Sequence, residues 1–130
     1  GYEFRGSSDT AIFTIDNTGN IAAGGEVTAN SDERIKTNIK TIENALDKVT
    51  QLRGVEYDRT DIEKHQIGVI AQEVEKVLPD ICGERKMYDE TYKLIRYEKL
   101  VPVLISAIQD QQKQIEDLKN ELNALKNQNK

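Results

Sequence analysis

A heptad stripe runs through the last third of the chain. Counting sevens from Val101 places Val101, Ile108, Ile115 and Leu122 at one seam position, and Leu104, Gln111, Leu118 and Leu125 at the other. Only Gln111 is polar, and the flanks are rich in Lys, Glu, Asp and Gln, so residues 98–127 are predicted to form one long helix. An isolated helix would expose this narrow stripe, although each large apolar side chain gains roughly 1.5–3 kcal/mol from burial. The helix is therefore expected to pair with copies of itself as a coiled coil. β-Branched residues beside leucine favour two strands, whereas Gln111 suits a wider core, so the stripe alone leaves dimer and trimer both open.

The composition agrees with a chain that relies on partners. Hydrophobic residues make up 37% and charged residues 32% of 130 residues, with five Tyr, two Phe and no Trp. That supplies at most one small domain with appendages. A net charge of −5 disfavours sequence-independent binding to nucleic acid. No apolar run approaches the roughly 20 residues that span a bilayer, so no membrane partner is expected. The opening GYEFRGSSDT lacks a basic region followed by an apolar one, which predicts no signal peptide, and a chain that starts at Gly is expected to be a C-terminal piece of something longer. Cys82 is alone, which excludes an internal disulfide and fits a reducing compartment. With His65 as the single His, a Cys/His zinc site within one chain is excluded as well, and neither metal nor cofactor is expected.

Residues 1–30 read as β. Ile12, Thr14 and Asp16 alternate with Phe13 and Ile15, DNTGN is a strong turn signal, and Ile21 and Val27 follow around Gly24-Gly25. These short strands hold too little apolar material for a core and are expected to be the last rungs of a larger, β-helix-like structure. From residue 31 the character changes. Ile42, Ala45, Leu46, Val49 and Leu52 lie at helical spacing, with Thr41 as expected N-cap and Gly54 as terminator. GVEYDRT reads as a strand, DIEKHQ as a polar loop, and IGVIAQEVEKVLP as a short strand entering a helix with Ile70, Val74, Val77 and Leu78 on one face and Pro79 just after it. ETYKLIRYEKL reads as another strand, and PDICGER as a turn around Cys82. The fold class expected is α+β: a small mixed helix/strand domain over 31–130, closed by the long helix and preceded by the β segment.

At the border between the two regions stands VTANSDERIKTNIK, with Ser31 five residues before Lys36. Serine becomes a nucleophile when a base removes its proton, and lysine serves as that base once burial or positive charge lowers its pKa. Asn30 precedes the serine, so Ser31 is placed to attack the carbonyl immediately before it. Against this, SDE is also an ordinary helix start with Ser31 as cap, and the spacing recurs by chance. The SSD at Ser7–Asp9 has the same start, but Phe13 stands where a base would be.

SDERIKTNIKTIENALDKVTQLRGVEYD, IGVIAQEVEKVLPD and YEKLVPVLISAIQDQQKQI, in that order, resemble the C-terminal intramolecular chaperone domain of phage tail-spike, tail-fibre and neck-appendage proteins. This is the self-cleaving peptidase S74 family of the endosialidase type, seen also in the myelin regulatory factor proteins, and the resemblance covers residues 31 to about 118. It implies a homotrimer that aligns the upstream β-structured region of the same polypeptide, then releases itself by single-turnover autoproteolysis. Carried over, the catalytic serine and lysine fall on Ser31 and Lys36, the cleaved bond on Asn30–Ser31, and Asp32 and Arg34 act as organisers of the site. The eight seam residues become the trimer interface. Folding and cutting would occur in the host cytoplasm during virion assembly, leaving the upstream part in the tail or appendage. The alternative is a structural trimerisation foot that stays attached and cuts nothing. A third reading, a cleavage-activated membrane-bound transcription factor, is disfavoured by the acidic charge and the glycine-turn strands.

Overall fold

The structure is a computed structural model and describes residues 1–129; Lys130, the last residue of the region expected over 31–130, lies outside them. The chain divides into two compact units, with the break between Ile39 and Lys40. That packing boundary falls nine residues after the Asn30–Ser31 bond.

The first unit carries a three-stranded antiparallel meander of β1 (Tyr2–Arg5), β2 (Ala11–Ile15) and β3 (Ile21–Ala23). The Asp16–Asn20 turn joining β2 to β3 follows from its residues. The Asp16 carboxylate accepts from Thr18 N–H and Oγ1, both at 2.8 Å, from Asn20 N–H at 2.9 Å and from Asn20 Nδ2 at 2.8 Å. These bonds hold its pKa far below the usual aspartate range, the Asn20 side chain contributing most. Gly19 supplies the positive φ of 86° that the turn requires. The sheet itself buries little: Phe4 meets Phe13 across the strands at 5.8 Å, yet Phe4 stays exposed. This agrees with the paucity of apolar residues there.

The second unit has the core. Ala45, Val74, Leu78, Ile81, Val103 and Ala107 are buried together, with Ile42, Leu46, Val49, Leu52, Val69, Val77, Cys82, Ile95 and Leu100 packed around them. Its elements are α1 (Ala45–Val49), the hairpin β4 (Val55–Arg59) and β5 (Lys64–Gly68), α2 (Ala71–Glu75), the hairpin β6 (Cys82–Met87) and β7 (Glu90–Ile95), and α3 (Leu100–Gln128). Tyr97 ties the first hairpin to the start of α3, its hydroxyl accepting from Val69 N–H at 3.2 Å. A Cβ at Gly68 would displace that hydroxyl, so glycine here lets Tyr97 reach the Val69 N–H.

Several elements differ from expectation: α2 ends at Glu75, before Val77 and Leu78, and the strand expected over ETYKLIRYEKL ends at Ile95, with Tyr97–Lys99 in a 3₁₀ turn. The first helix begins at Ala45 rather than after Thr41, because Asn44 takes a left-handed conformation (φ 54°) just before it. Lys64–Gln66 of the expected polar loop are in β5, paired by backbone bonds that need no apolar pattern. Cys82 opens a strand rather than lying in a turn, and the β6–β7 register is reinforced by Lys93, whose ammonium reaches Glu84 across the ladder at 3.4 Å and Glu75 of α2 at 2.8 Å. The architecture is thus small, mixed helix and strand, with short antiparallel sheets and one long C-terminal helix.

Candidate functional site

Ser31 to Lys36 fold as a cap and a single 3₁₀ turn over Glu33–Ile35. Asp32 starts it: its extended backbone brings the carboxylate over the turn, where Oδ1 accepts the Arg34 N–H at 2.8 Å. The Arg34 guanidinium binds the same carboxylate through two bonds, Nε to Oδ1 at 3.0 Å and a terminal nitrogen to Oδ2 at 2.9 Å. Hydrogen bonds from the Arg34 side chain, then from its N–H, hold the Asp32 pKa below its ordinary value, and the pairing raises that of Arg34. Ile35 N–H reaches Asp32 O at 3.2 Å and Lys36 N–H reaches Glu33 O at 3.0 Å, which closes the turn.

The consequence of this closure is a contact across five residues. Lys36 Nζ donates to Ser31 Oγ at 2.6 Å. As a charged ammonium, Lys36 is the donor; with Nζ deprotonated the same contact reverses and the hydroxyl donates to the amine, as a nucleophile–base pair requires. Both side chains are exposed, as are Asn30, Asp32 and Arg34. The structure therefore places two hydrogen-bonded pairs, Ser31 with Lys36 and Asp32 with Arg34, on one short turn, with Asn30 adjoining through the peptide bond.

Two residues that the sequence did not single out flank Lys36. Ile35 and Ile39 are 67% and 68% exposed, apolar groups in an otherwise polar stretch. Their i, i+4 spacing around the lysine was the available signal. When covered, such residues exclude water from their neighbour, and that is the condition for a lysine base.

The second candidate surface is the stripe on α3. Val101, Leu104, Ile108, Gln111, Ile115, Leu118, Leu122 and Leu125 are all exposed, whereas Val103, Ser106 and Ala107 of the same helix are buried in the core. α3 thus presents two faces over its first turns and an unburied apolar stripe beyond them.

The other residues considered have structural surroundings. Glu73 pairs with Arg53 at 2.8 Å, and Gln72 beside it is exposed. His65 lies between Asp58, 2.9 Å from Nδ1, and Glu56, 3.7 Å from Nε2, on the exposed β4–β5 hairpin. Burial, and then the Glu75 carboxylate, push the Cys82 thiol up in pKa, away from a reactive thiolate. Tyr88 lies between β6 and β7 with a positive φ of 54°, and Tyr92 lies on β7. Among the described residues no cluster of three or more His, Cys, Asp or Glu could hold a metal, and no helix is long and apolar enough to cross a membrane.

Residues 31–82 match the model of the family described as chaperone of endosialidase, Peptidase_S74. The match begins at Ser31. The chain is also similar to long tail fiber proteins Gp37: 34% identical over 104 residues to that of Enterobacteria phage M1, covering 75% of this chain and 41% of the relative. To the Gp37 of Enterobacteria phage Ox2 it is 34% identical over 101 residues, covering 72% and 40%. With the Gp37 of Salmonella phage S16, identity is 30% over 141 residues, covering 93% of this chain and 19% of that one. The chain thus spans less than half the length of these relatives. The resemblance read from three sequence motifs is borne out: a chaperone-of-endosialidase segment in a chain related to phage long tail fibre proteins.

Proposed function

We propose that this chain, which carries a chaperone-of-endosialidase segment, is a trimerisation chaperone for β-structured sequence upstream of it, and that it releases itself by cutting the Asn30–Ser31 bond. Residues 31–130 form the chaperone and residues 1–30 the end of its client. The fibre relatives support a virion-associated client; assembly in the host cytoplasm is part of the same reading. The observation that carries the cutting is the 2.6 Å contact of Lys36 Nζ with Ser31 Oγ, held by the Asp32–Arg34 turn.

In this mechanism Lys36 removes the Ser31 hydroxyl proton and Ser31 Oγ attacks the Asn30 carbonyl carbon. The C–N bond breaks as the Ser31 nitrogen takes the proton from Lys36, leaving an ester between Asn30 and Ser31 Oγ; opening of that ester by a second nucleophile then separates the two segments. Asp32 and Arg34 position the pair. Exposure of both groups in the single chain fits a reaction that waits for assembly. Ile35 and Ile39 exclude water from Lys36 once trimer and client cover them, so only a correctly wound client is cut.

The exposed stripe of α3 supports the trimer. Three helices that bury Val101, Leu104, Ile108, Ile115, Leu118, Leu122 and Leu125 form a coiled coil with Gln111 as one polar layer. Joining three chains there raises the effective concentration of their upstream ends, which offsets the ordering entropy of a long-range β structure. Cutting afterwards removes the assembly device and leaves a kinetically stable fibre.

The test is light scattering of the parent and of Ile108→Lys/Leu118→Lys, with the cut fraction read by mass. A trimer that cuts, and a monomer that does not, support the proposal. A parent that trimerises and stays whole favours the attached trimerisation foot.

A further inference from the structure

We propose that Asn30 is a reacting residue: its side-chain carboxamide, rather than water, resolves the Ser31 ester, and the upstream segment leaves with a C-terminal aminosuccinimide. This inference rests on the cleavage reading above and concerns only how the ester is opened.

Two ring closures converge on one carbon. Ser31 Oγ reaches the Asn30 carbonyl through a five-membered ring made of that carbon and the N, Cα, Cβ and Oγ of Ser31. Asn30 Nδ2 reaches the same carbon through a second five-membered ring made of its own Cα, Cβ, Cγ and Nδ2. No other uncharged side-chain amide is tied so closely to the reacting bond. Two asparagines of the first unit's loops, Asn20 and Asn30, show a difference in commitment. Asn20 Nδ2 is engaged by Asp16 Oδ2 at 2.8 Å and Thr18 Oγ1 at 2.9 Å, which locks its turn. Asn30 is exposed, and none of the side-chain hydrogen bonds among the described residues engages its carboxamide. It is free to turn onto its own carbonyl.

The surroundings do not favour a hydrolytic water in the same way. A water needs a base to hold and deprotonate it. Asp32, the carboxylate adjoining Ser31, has Oδ1 and Oδ2 occupied by three bonds from Arg34, at 2.8, 3.0 and 2.9 Å. Lys36, bound to Ser31, is the base that water and the carboxamide would share, so the two routes differ in how the second reactant is captured. Attack from within the same residue also needs no capture of a second reactant, an advantage that reaches effective molarities on the order of 10⁵ M or more in well-oriented cases. An amide nitrogen is a weak nucleophile, and the preceding step compensates by turning the target from an amide into a more electrophilic ester.

The step balances without water. Asn30 Nδ2 forms a bond to the carbonyl carbon and gives one proton to neutral Lys36. The bond from that carbon to Ser31 Oγ breaks, and Lys36 returns the proton to the departing oxygen. One product ends in the succinimide ring, one water lighter than the acid; the other begins at Ser31 with a free amine and hydroxyl. Nothing is oxidised or reduced.

The experiment is cleavage of the parent in heavy-oxygen water, quenched in acid at early times, with masses of both fragments. The expected upstream product is one water lighter than the acid and carries no heavy oxygen; on standing it opens to a mixture that includes the C-terminal α-amide isomer. An upstream acid already carrying heavy oxygen at the earliest time overturns the inference and leaves the cleavage reading intact. No cleavage at all in the assembled trimer overturns both. Asn30→Ala is a second arm, on a side chain with no bonds to lose. It should slow release by on the order of tenfold or more, with an ester that hydroxylamine traps; release at the parental rate overturns the inference.

Discussion

Along α3, Val103 and Ala107 are each 4% exposed, packed against Ala45, Val74, Leu78 and Ile81, whereas Leu118, roughly four turns beyond Val103, is 64% exposed. The residue types are alike and the helix is continuous over Leu100–Gln128. The near turns are stabilised within one chain. The far turns keep an apolar stripe at seam spacing with no neighbour to bury it, and most helical stability in proteins comes from such burial. The contrast separates turns buried within one chain from turns that the proposed trimer would bury.

Leucines at the two places test the contrast most sharply. Leu78→Ala should destabilise the second unit by about 2–5 kcal/mol, as core truncations do. Leu118→Ala should leave dilute, dissociated chain within about 0.5 kcal/mol of the parent. Denaturant unfolding at low concentration measures both. Equal losses at the two sites would erase the distinction. At concentrations where chains assemble, the order should change for the assembly itself: Ile108→Lys/Leu118→Lys should abolish the trimer in light scattering while the dichroism of the core unit persists.

Gln111→Leu sharpens the same comparison with the opposite sign. A polar layer in a seam trades stability for register, so this change should raise the melting temperature of the assembled form and broaden its distribution of oligomers. A lower melting temperature would place Gln111 outside the seam. The smallest effect belongs to Asp32. Its folded pKa lies below the ordinary 3.8, first because of the Arg34 side chain. A depressed carboxylate stabilises the turn above the ordinary value and loses that contribution as pH falls through the lower, folded one. The Arg34 amide resonance should thus hold steady from neutral pH down to that ordinary value and shift below it, and Asp32→Asn should show the loosened position at every pH.

The sequence made the packing legible where packing is periodic. Val74, Val49 and the α3 stripe announced their elements because amphipathic helices repeat their apolar residues, whereas Leu78 proved to lie beyond the end of α2. β5 and β6 were hidden for the opposite reason: KHQIG and CGERKM pair through the backbone and through charge, as Glu84 and Lys93 do, with little apolar alternation to reveal them. Asn44 delayed the start of the first helix through a left-handed backbone, which the apolar spacing does not encode. At the candidate site, the Ser31–Lys36 spacing permitted contact and the resemblance assigned roles. The means of contact, a 3₁₀ turn pinned by Asp32 and Arg34, is a matter of backbone hydrogen bonds. Ile35 and Ile39 passed unnoticed because a single i, i+4 pair in a polar run is too short to stand out as a period.

The central claim is that Ser31 and Lys36 cut the bond before Ser31 in the assembled chain. The direct measurement is the intact mass of the expressed trimer beside Ser31→Ala and Lys36→Ala, each confirmed as a folded trimer. The account predicts two fragments in the parent, ending at Asn30 and beginning at Ser31, and one uncut chain in both variants. A single uncut species in all three would contradict it and leave the Ser31–Lys36 contact a structural one beside the turn that Asp32 caps.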